Sequence, residues 1–529
     1  MVPQLDYRAA RLFDLLFGLS ALFGLLLGCH KSQGTDTTRK VAIDPTSSRV
    51  VTNAAPSTTT LEPKVDQQPA PLFSASPTND SSHQNPKQPD GQQLSDLLPP
   101  ASHSVPAVAQ PDLTTRNMSL IQAAGIRTLT GQHIVIYTDL AADPEIAQLP
   151  HLFDQAVELW TQYFSLDRRT TDQWKVVGHL ISDKQKFVST GLLPQNLPPF
   201  LHGYQHDHQL WIYDQPSDYY RRHLLLHEGT HAFMRHFLGS AGPPWYMEGM
   251  AEILGTHRWE GDRLTIGYMP RNRKEVPYWG RVKIVRDQVK QSQAKRLSTI
   301  MSQKPDAFLH VDAYGWSWAA AAFLDGHPRY RDRFRELHPL VENPQFTQIV
   351  RDRFAEDWDE LTEEWQLFVM NMDYGYDLER EAIVFSGGKP LEKIKSPVTI
   401  RSDQGWQSTG VWLEANDEYT VTATGRYVVT AKPTPWWCEP NGITIRYHQG
   451  KPLGILLYAI RPDNRQSAMT ALARPREIGS QRSITPQSAG TLFLRINDSP
   501  AELADNAGIL TVHITRGEKN SKRDNSSEL

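Results

Sequence analysis

The sequence predicts a multidomain chain: an α+β domain followed by a smaller all-β sandwich, both preceded by a long disordered linker. Three observations carry this. Residues 30–116 are rich in Pro, Ser, Thr, Gln and Asn and offer few large apolar side chains. Such a stretch has no core to offset the entropy of ordering it. Between 117 and 388, strand-like alternation gives way to helical spacing, and from 389 to 516 short alternating runs are separated by turn residues.

The chain has 529 residues and a formal net charge of −4. That length suits several domains, and that charge gives no case for nucleic-acid binding. Only two cysteines, Cys29 and Cys438, are present, which excludes a disulfide framework and a cysteine-rich metal site. Residues 1–29 read as an export signal. Arg8 and Arg11 precede the apolar run "LLFGLSALFGLLLGC", which is short for a membrane-spanning helix. Leu26-Leu27-Gly28-Cys29 resembles a bacterial lipobox, which implies lipidation at Cys29 and an exported lipoprotein of the cell envelope. That protein would face the periplasm or the cell surface and touch the membrane only through its lipid. An ordinary signal or an uncleaved anchor is the alternative. The linker then acts as a tether.

Within 117–388, "HIVIYTDL" (His133–Leu140) and "WKVVGHLIS" (Trp174–Ser182) read as strands, and "HDHQLWIYDQ" (His206–Gln215) as a third. Between the first two, Leu152, Phe153, Val157, Leu159, Trp160 and Phe164 form the apolar stripe of a helix. "LLLHEGTHAFMRHF" continues as a second helix. His227 and His231, four apart, share one of its faces and can reach one ion. A hydrolytic zinc site takes three protein ligands and keeps one position open. Pro243-Pro244 opens a new helix, and "WYMEGMAEILG" places Glu248 and Glu252 on one face of it. Glu248 is then the third ligand, and Glu252 the partner that orients a ligand histidine. Glu228 stays off the metal as the general base. Gly249 permits close approach of this helix to a neighbour. His223 and His236, outside the frame, read as structural or solvent-facing. The bland alternative is a surface helix whose polar residues fall by chance at two turns.

"HEGTH…PPWYMEGMAE" resembles the gluzincin metallopeptidases, in particular the M1-like group with a Trp-x-x-Glu-Gly helix. The resemblance implies a zincin-like fold, zinc held by His227, His231 and Glu248, and Glu228 as base. The exopeptidase motif that M1-like aminopeptidases carry ahead of HExxH is absent, which points to an endopeptidase. "HGYQHDHQLWIYD" then offers an edge strand for a peptide substrate, or is an ordinary hairpin strand. "HVDAYGWSWAAAAFL" resembles the helix that follows the zinc site in related bacterial domains. Tyr314 is its candidate oxyanion donor, with His310 behind it; packing is the alternative role.

In 389–516, "INDSPAELADNAGILTVHI" gathers Asn497, Asp498, Glu502, Asp505 and Asn506 in one loop between strands. Hard oxygen donors suit calcium, and a polar hairpin loop would show the same composition. The segment from Gln404 to Thr515 resembles the calcium-dependent galactophilic lectins of the PA-I type. That resemblance implies Ca2+ held by Asp498, the Glu502 carbonyl, Asp505 and Asn506, with a further carbonyl near Val429, and a glycan ligand. The lectin's sugar-gripping loop corresponds loosely to "CEPNG", where Glu439 stands in place of its histidine. Residues 517–529 are a polar tail.

The expected protein is therefore a Zn2+-dependent metallopeptidase of the cell envelope, acting on a peptide or protein substrate, with a lectin-like module. The alternatives are a non-catalytic glycan-binding surface protein with a structural zinc, and an amidase acting on cell-wall peptides.

Overall fold

The computed structural model describes residues 116–393, 397–463 and 469–517. The expected signal peptide with Cys29, the linker up to residue 115 and the tail beyond residue 517 lie outside these residues.

The N-terminal part is built on a five-stranded sheet in the order β1-β2-β3-β5-β4: β1 Arg127–Thr130, β2 Ile134–Thr138, β3 Val176–Ile181, β4 Gly203–His206 and β5 Gln209–Tyr213. β2, β3 and β5 run parallel, while β1 and β4 close the two edges antiparallel. Alternation explains why the central strands are buried on both faces. Ile134, Ile136, Val176, Leu210 and Ile212 join the main core, whereas Val135, Tyr137, Val177 and Trp211 pack on Phe187, Leu192 and Leu193 behind the sheet.

One strand was not anticipated, and one strand expectation is corrected. β1 was not foreseen, because RTLT buries little of itself. The segment His206–Gln215 is not one strand. Asp207 adopts φ 48°, a left-handed conformation that Asp tolerates, and turns the chain back, so that His206 pairs with Gln209.

Helix α1 (Leu149–Tyr163) lays Phe153 and Trp160 over the sheet, where they meet Trp174 and Phe233. Helix α2 (Asp218–Phe237) starts at Ser217, whose hydroxyl caps Tyr220 N. Helix α3 (Pro244–Gly255) starts on the double proline and is buried along its length except at Pro244. Beyond it lie α4 (Arg281–Lys290), α5 (Val311–Gly326) and α6 (Trp358–Met370). α3 meets α5 at Gly249. A Cβ there would stand 2.8 Å from the Ser317 carbonyl oxygen, so only glycine allows this approach. Among the described residues no helix is long and apolar enough to cross a membrane.

The C-terminal region is all β. One sheet runs in the order Arg476–Glu477, Leu456–Arg461, Gly490–Ile496, Gln407–Leu413, Lys389–Pro390. The other runs Gln481–Ile484, Tyr419–Thr424, Ile509–Arg516, Val398–Arg401. Val411, Leu413, Tyr419, Val421, Leu492, Leu494, Leu510 and Val512 share its core. This region is welded to the helical part. Leu367 and Ile383 bury themselves with Trp406, Leu457 and Phe493. Arg461 forks onto Glu363, and Arg495 onto Glu381, both pairs buried.

Candidate metal centre

His227 and His231 project from the same side of α2, one turn apart, with ring centroids 4.8 Å apart and planes at 90°. Their Nε2 atoms face each other at 3.2 Å. α3 brings Glu248 onto this pair, its Oε2 3.2 Å from His227 Nε2 and 3.6 Å from His231 Nε2. All three residues are buried. A point equidistant from the three atoms lies about 1.9 Å from each. An ion slightly out of their plane therefore sits at the roughly 2.0–2.2 Å that a small transition-metal ion takes with N and O donors. Two imidazole nitrogens and a carboxylate oxygen converging on one point form a donor set that fits a metal ion.

The electrostatics agree with that reading. Burial pushes the Glu248 carboxyl up, but His231 and His227 outweigh it and hold it down to about 2. Burial alone would lower His227; Glu248, with Glu252 and Glu228, instead holds it up at about 9. A cation entering this pocket would meet groups that already favour positive charge, and would displace a proton from His227. Glu228 is different. Burial dominates, and its carboxyl rises to about 7, where a general base is most effective. The backbone of β4 lies directly on it: a Cβ on Gly203 would overlap Glu228 Oε1.

Glu252 sits behind His227. Its Oε1 accepts from Arg281 Nη2 at 2.7 Å and lies 3.6 Å from His227 Nδ1. Its Oε2 accepts from Arg281 Nε at 3.0 Å and Trp279 Nε1 at 3.1 Å, with His223 Nε2 3.5 Å away. Burial opposes ionisation, yet Arg281 and His223 keep Glu252 well below the usual carboxylate range. His223, His227 and Glu252 also lie close enough together to suggest a second ion. The Arg281 guanidinium already pairs with that carboxylate, and His223 Nε2 and His227 Nδ1 stand 3.5 and 3.6 Å from it without a hydrogen bond.

Tyr314, near the start of α5, stands beside the site with its ring centroid 6.5 Å from that of His227. Burial, then the Glu248 and Glu228 carboxylates, push its hydroxyl well above its usual range, so it remains a proton donor. His310 is not behind it. That histidine is exposed at the head of α5, and Phe308 (5.3 Å, edge-on) and Arg281 (5.6 Å, over the ring) back Tyr314 instead. His223 is fully buried, its Nδ1 2.9 Å from Gly255 O, and so ties α2 to α3.

Arg281, Trp279 and Tyr220 were missed in sequence. Tyr220 lies on α2 near Glu228 and Arg281, and burial raises its hydroxyl. No spacing rule announces Arg281, because its role depends on α4 packing on α5 so that its first residue reaches Glu252.

In the all-β region, Asp498 Oδ2 accepts from Asn506 Nδ2 at 2.9 Å, and Oδ1 from Ser499 N at 2.7 Å. Burial raises the Asp498 carboxyl to about 6. Asp505 Oδ2 accepts from Ala431 N at 3.2 Å. Asp505 Oδ1 and Asn506 Oδ1 are buried without partners, so the loop holds unsatisfied oxygens suited to a hard cation. The Glu502 side chain turns away to Arg446. Val429 lies on Tyr427–Thr430, the strand beside the loop, where Val428 bridges to Ala507. The Glu439 side chain is exposed, while its carbonyl accepts from Tyr427 Oη at 3.0 Å.

No family model matches the chain, and no curated protein matches it. Among solved structures, it is similar to one described as "EclA N-terminal domain; PllA-like lectin". The two are 22% identical, covering 24% of this chain and 99% of that one, with a TM-score of 0.18. It is also similar to a functionally unknown conserved protein from Bacillus anthracis str. Ames. Here identity is 14%, coverage 59% of this chain and 71% of that one, and the TM-score 0.26. At these scores neither likeness transfers a fold or a function to this chain.

Proposed function

We propose that this protein is a zinc-dependent endopeptidase with a zincin-like, gluzincin-type site. The observation that supports it best is the convergence of His227 Nε2, His231 Nε2 and Glu248 Oε2 beside Glu228, whose carboxyl burial pushes up. Two imidazoles and one carboxylate suit zinc and leave a coordination position free. When bound, the ion supplies Lewis acidity toward the scissile carbonyl and the attacking water.

The remaining chemistry belongs to side chains of this protein. Glu228 accepts the water's proton and passes it to the leaving amine. Tyr314, protonated at working pH, donates to the developing oxyanion. Glu252, fixed by Arg281 and Trp279, stands 3.6 Å from His227 Nδ1, where a small approach would let it accept that proton and orient the ring. The outer strand β4 offers main-chain groups to an extended substrate lying along its free edge, next to Glu228. A peptide held there as an added strand has both ends free, as endopeptidase action requires.

In this reading Cys29 carries a lipid and tethers the enzyme to the bacterial envelope, and the C-terminal region is a lectin-like module. Asp498, the Glu502 carbonyl, Asp505 and Asn506 hold Ca2+ there, and a glycan is its ligand. The test is digestion of an unbiased peptide library by wild type and Glu228→Gln. Wild type should cleave within peptides, and the variant should lose at least about a hundredfold in kcat, in line with loss of a general base. Retained cleavage by Glu228→Gln would remove Glu228 from the mechanism. Glycan binding with no cleavage by wild type would favour a non-catalytic surface protein.

A further inference from the structure

We propose a second divalent-metal site, formed by His208 and His236, that clips the β4–β5 hairpin to the end of α2. It is separate from the first centre. His236 lies five residues beyond His231, about 7.5 Å further along the helix axis. The two rings face each other across the hairpin–helix junction with centroids 5.3 Å apart and planes at 63°. That is close to the 4.8 Å and 90° of His227 and His231, whose nitrogens converge with a carboxylate at metal-ligating spacing.

One nitrogen of each ring, His208 Nδ1 and His236 Nε2, is buried and accepts or donates no hydrogen bond. A polar atom in that state calls for a ligand or a water. Burial lowers both histidines, so both are neutral near pH 7 with a lone pair available for a metal. The site is also stiff. The His208 carbonyl accepts from Val177 N at 2.8 Å, which anchors the turn to the sheet. His236 is walled by Trp174 and Phe237. The Asp207 carboxylate stands on the same turn and supplies negative charge toward His208.

Imidazole donors select a borderline transition ion such as Zn2+, Ni2+ or Cu2+ over Ca2+ or Mg2+. With two histidines as its protein donors and the Asp207 carboxylate turned to His206 Nδ1 at 3.2 Å, the ion would keep waters and exchange readily. Because β4 leads directly into this turn, binding would fix the strand that runs over Glu228.

The experiment is titration of the metal-stripped full-length chain with Zn2+, followed by calorimetry. Wild type should take up two equivalents. His208→Ala and His236→Gln should each lose one, the double variant should lose no more than either single one, and His231→Ala should lose the other. Circular dichroism melting of each apo variant checks that it folds, and the half-exposed positions of both histidines favour that. Unchanged stoichiometry in His208→Ala and His236→Gln, or a loss in only one of them, would overturn the proposal.

Discussion

Glu252 shows how one residue decides the behaviour of the centre. It lies outside the His227–His231–Glu248 group, yet three donor atoms of Arg281 and Trp279 fix its carboxylate 3.6 Å from His227 Nδ1. Its replacement by Gln weakens the Arg281 pairing and leaves a buried guanidinium short of a counter-charge. Glu252→Gln should therefore lower metal affinity by about 10–100-fold, the usual effect of losing such a partner. Competition against a chelator of known affinity measures this, and an unchanged affinity would show that Glu252 only packs. His227, His231, Glu228 and Glu248 were legible in the sequence, because helical spacing and a double proline are local signals. Arg281 and Trp279 were not, since nothing in "PYWGRVK" marks them until α4, packed on α5, brings them to Glu252. His310 failed for a related reason: four residues from Tyr314 suggested contact, but it lies where α5 begins and points to solvent.

At the scale of elements, the helices that carry the His227–His231–Glu248 group were legible and the hairpin was not. α2 and α3 carry continuous apolar surface with clear start signals, whereas the β4–β5 turn hides inside a run that alternates acceptably as one strand. The left-handed Asp207 is what divides it. That correction matters for function, because it makes β4 an edge strand lying on Glu228. Gly203→Ala inserts a methyl where Glu228 Oε1 stands, so the carboxylate must shift. Displacements near 1 Å can cost about a hundredfold in rate. The expected outcome is a 10–100-fold fall in kcat with metal content unchanged, measured on the same peptide as wild type.

Across the whole molecule, the all-β region was legible as a fold from its alternation, while its junction with the helical part was not. That junction joins residues roughly a hundred positions apart. Arg461 and Glu363 are each nearly buried there, and removing Arg461 takes its guanidinium from a buried carboxylate that keeps the Thr470 hydroxyl. Arg461→Ala should cost about 3–5 kcal/mol, read from urea unfolding, and should destabilise the helical part and the β region together. Acid should act on the fold through three buried histidines. Burial depresses His179, aided by Arg116, and likewise His257 and His338, each to about 3. Their folded values lie below the ordinary 6.5, so their stabilisation is complete above that pH and is lost as pH falls toward about 3. Each contributes up to about 1.4 kcal/mol per pH unit within that window. Unfolding free energies of the chelated protein at pH 7 and pH 4 should differ accordingly, and equal values would contradict the assignment.

Anomalous diffraction at the zinc edge, from crystals of the wild-type chain, tests the metallopeptidase reading most directly. The expected result is a peak within about 2.2 Å of His227 Nε2, His231 Nε2 and Glu248 Oε2, with no fourth protein ligand. An empty centre, or an ion closed off by a fourth side chain, would contradict it.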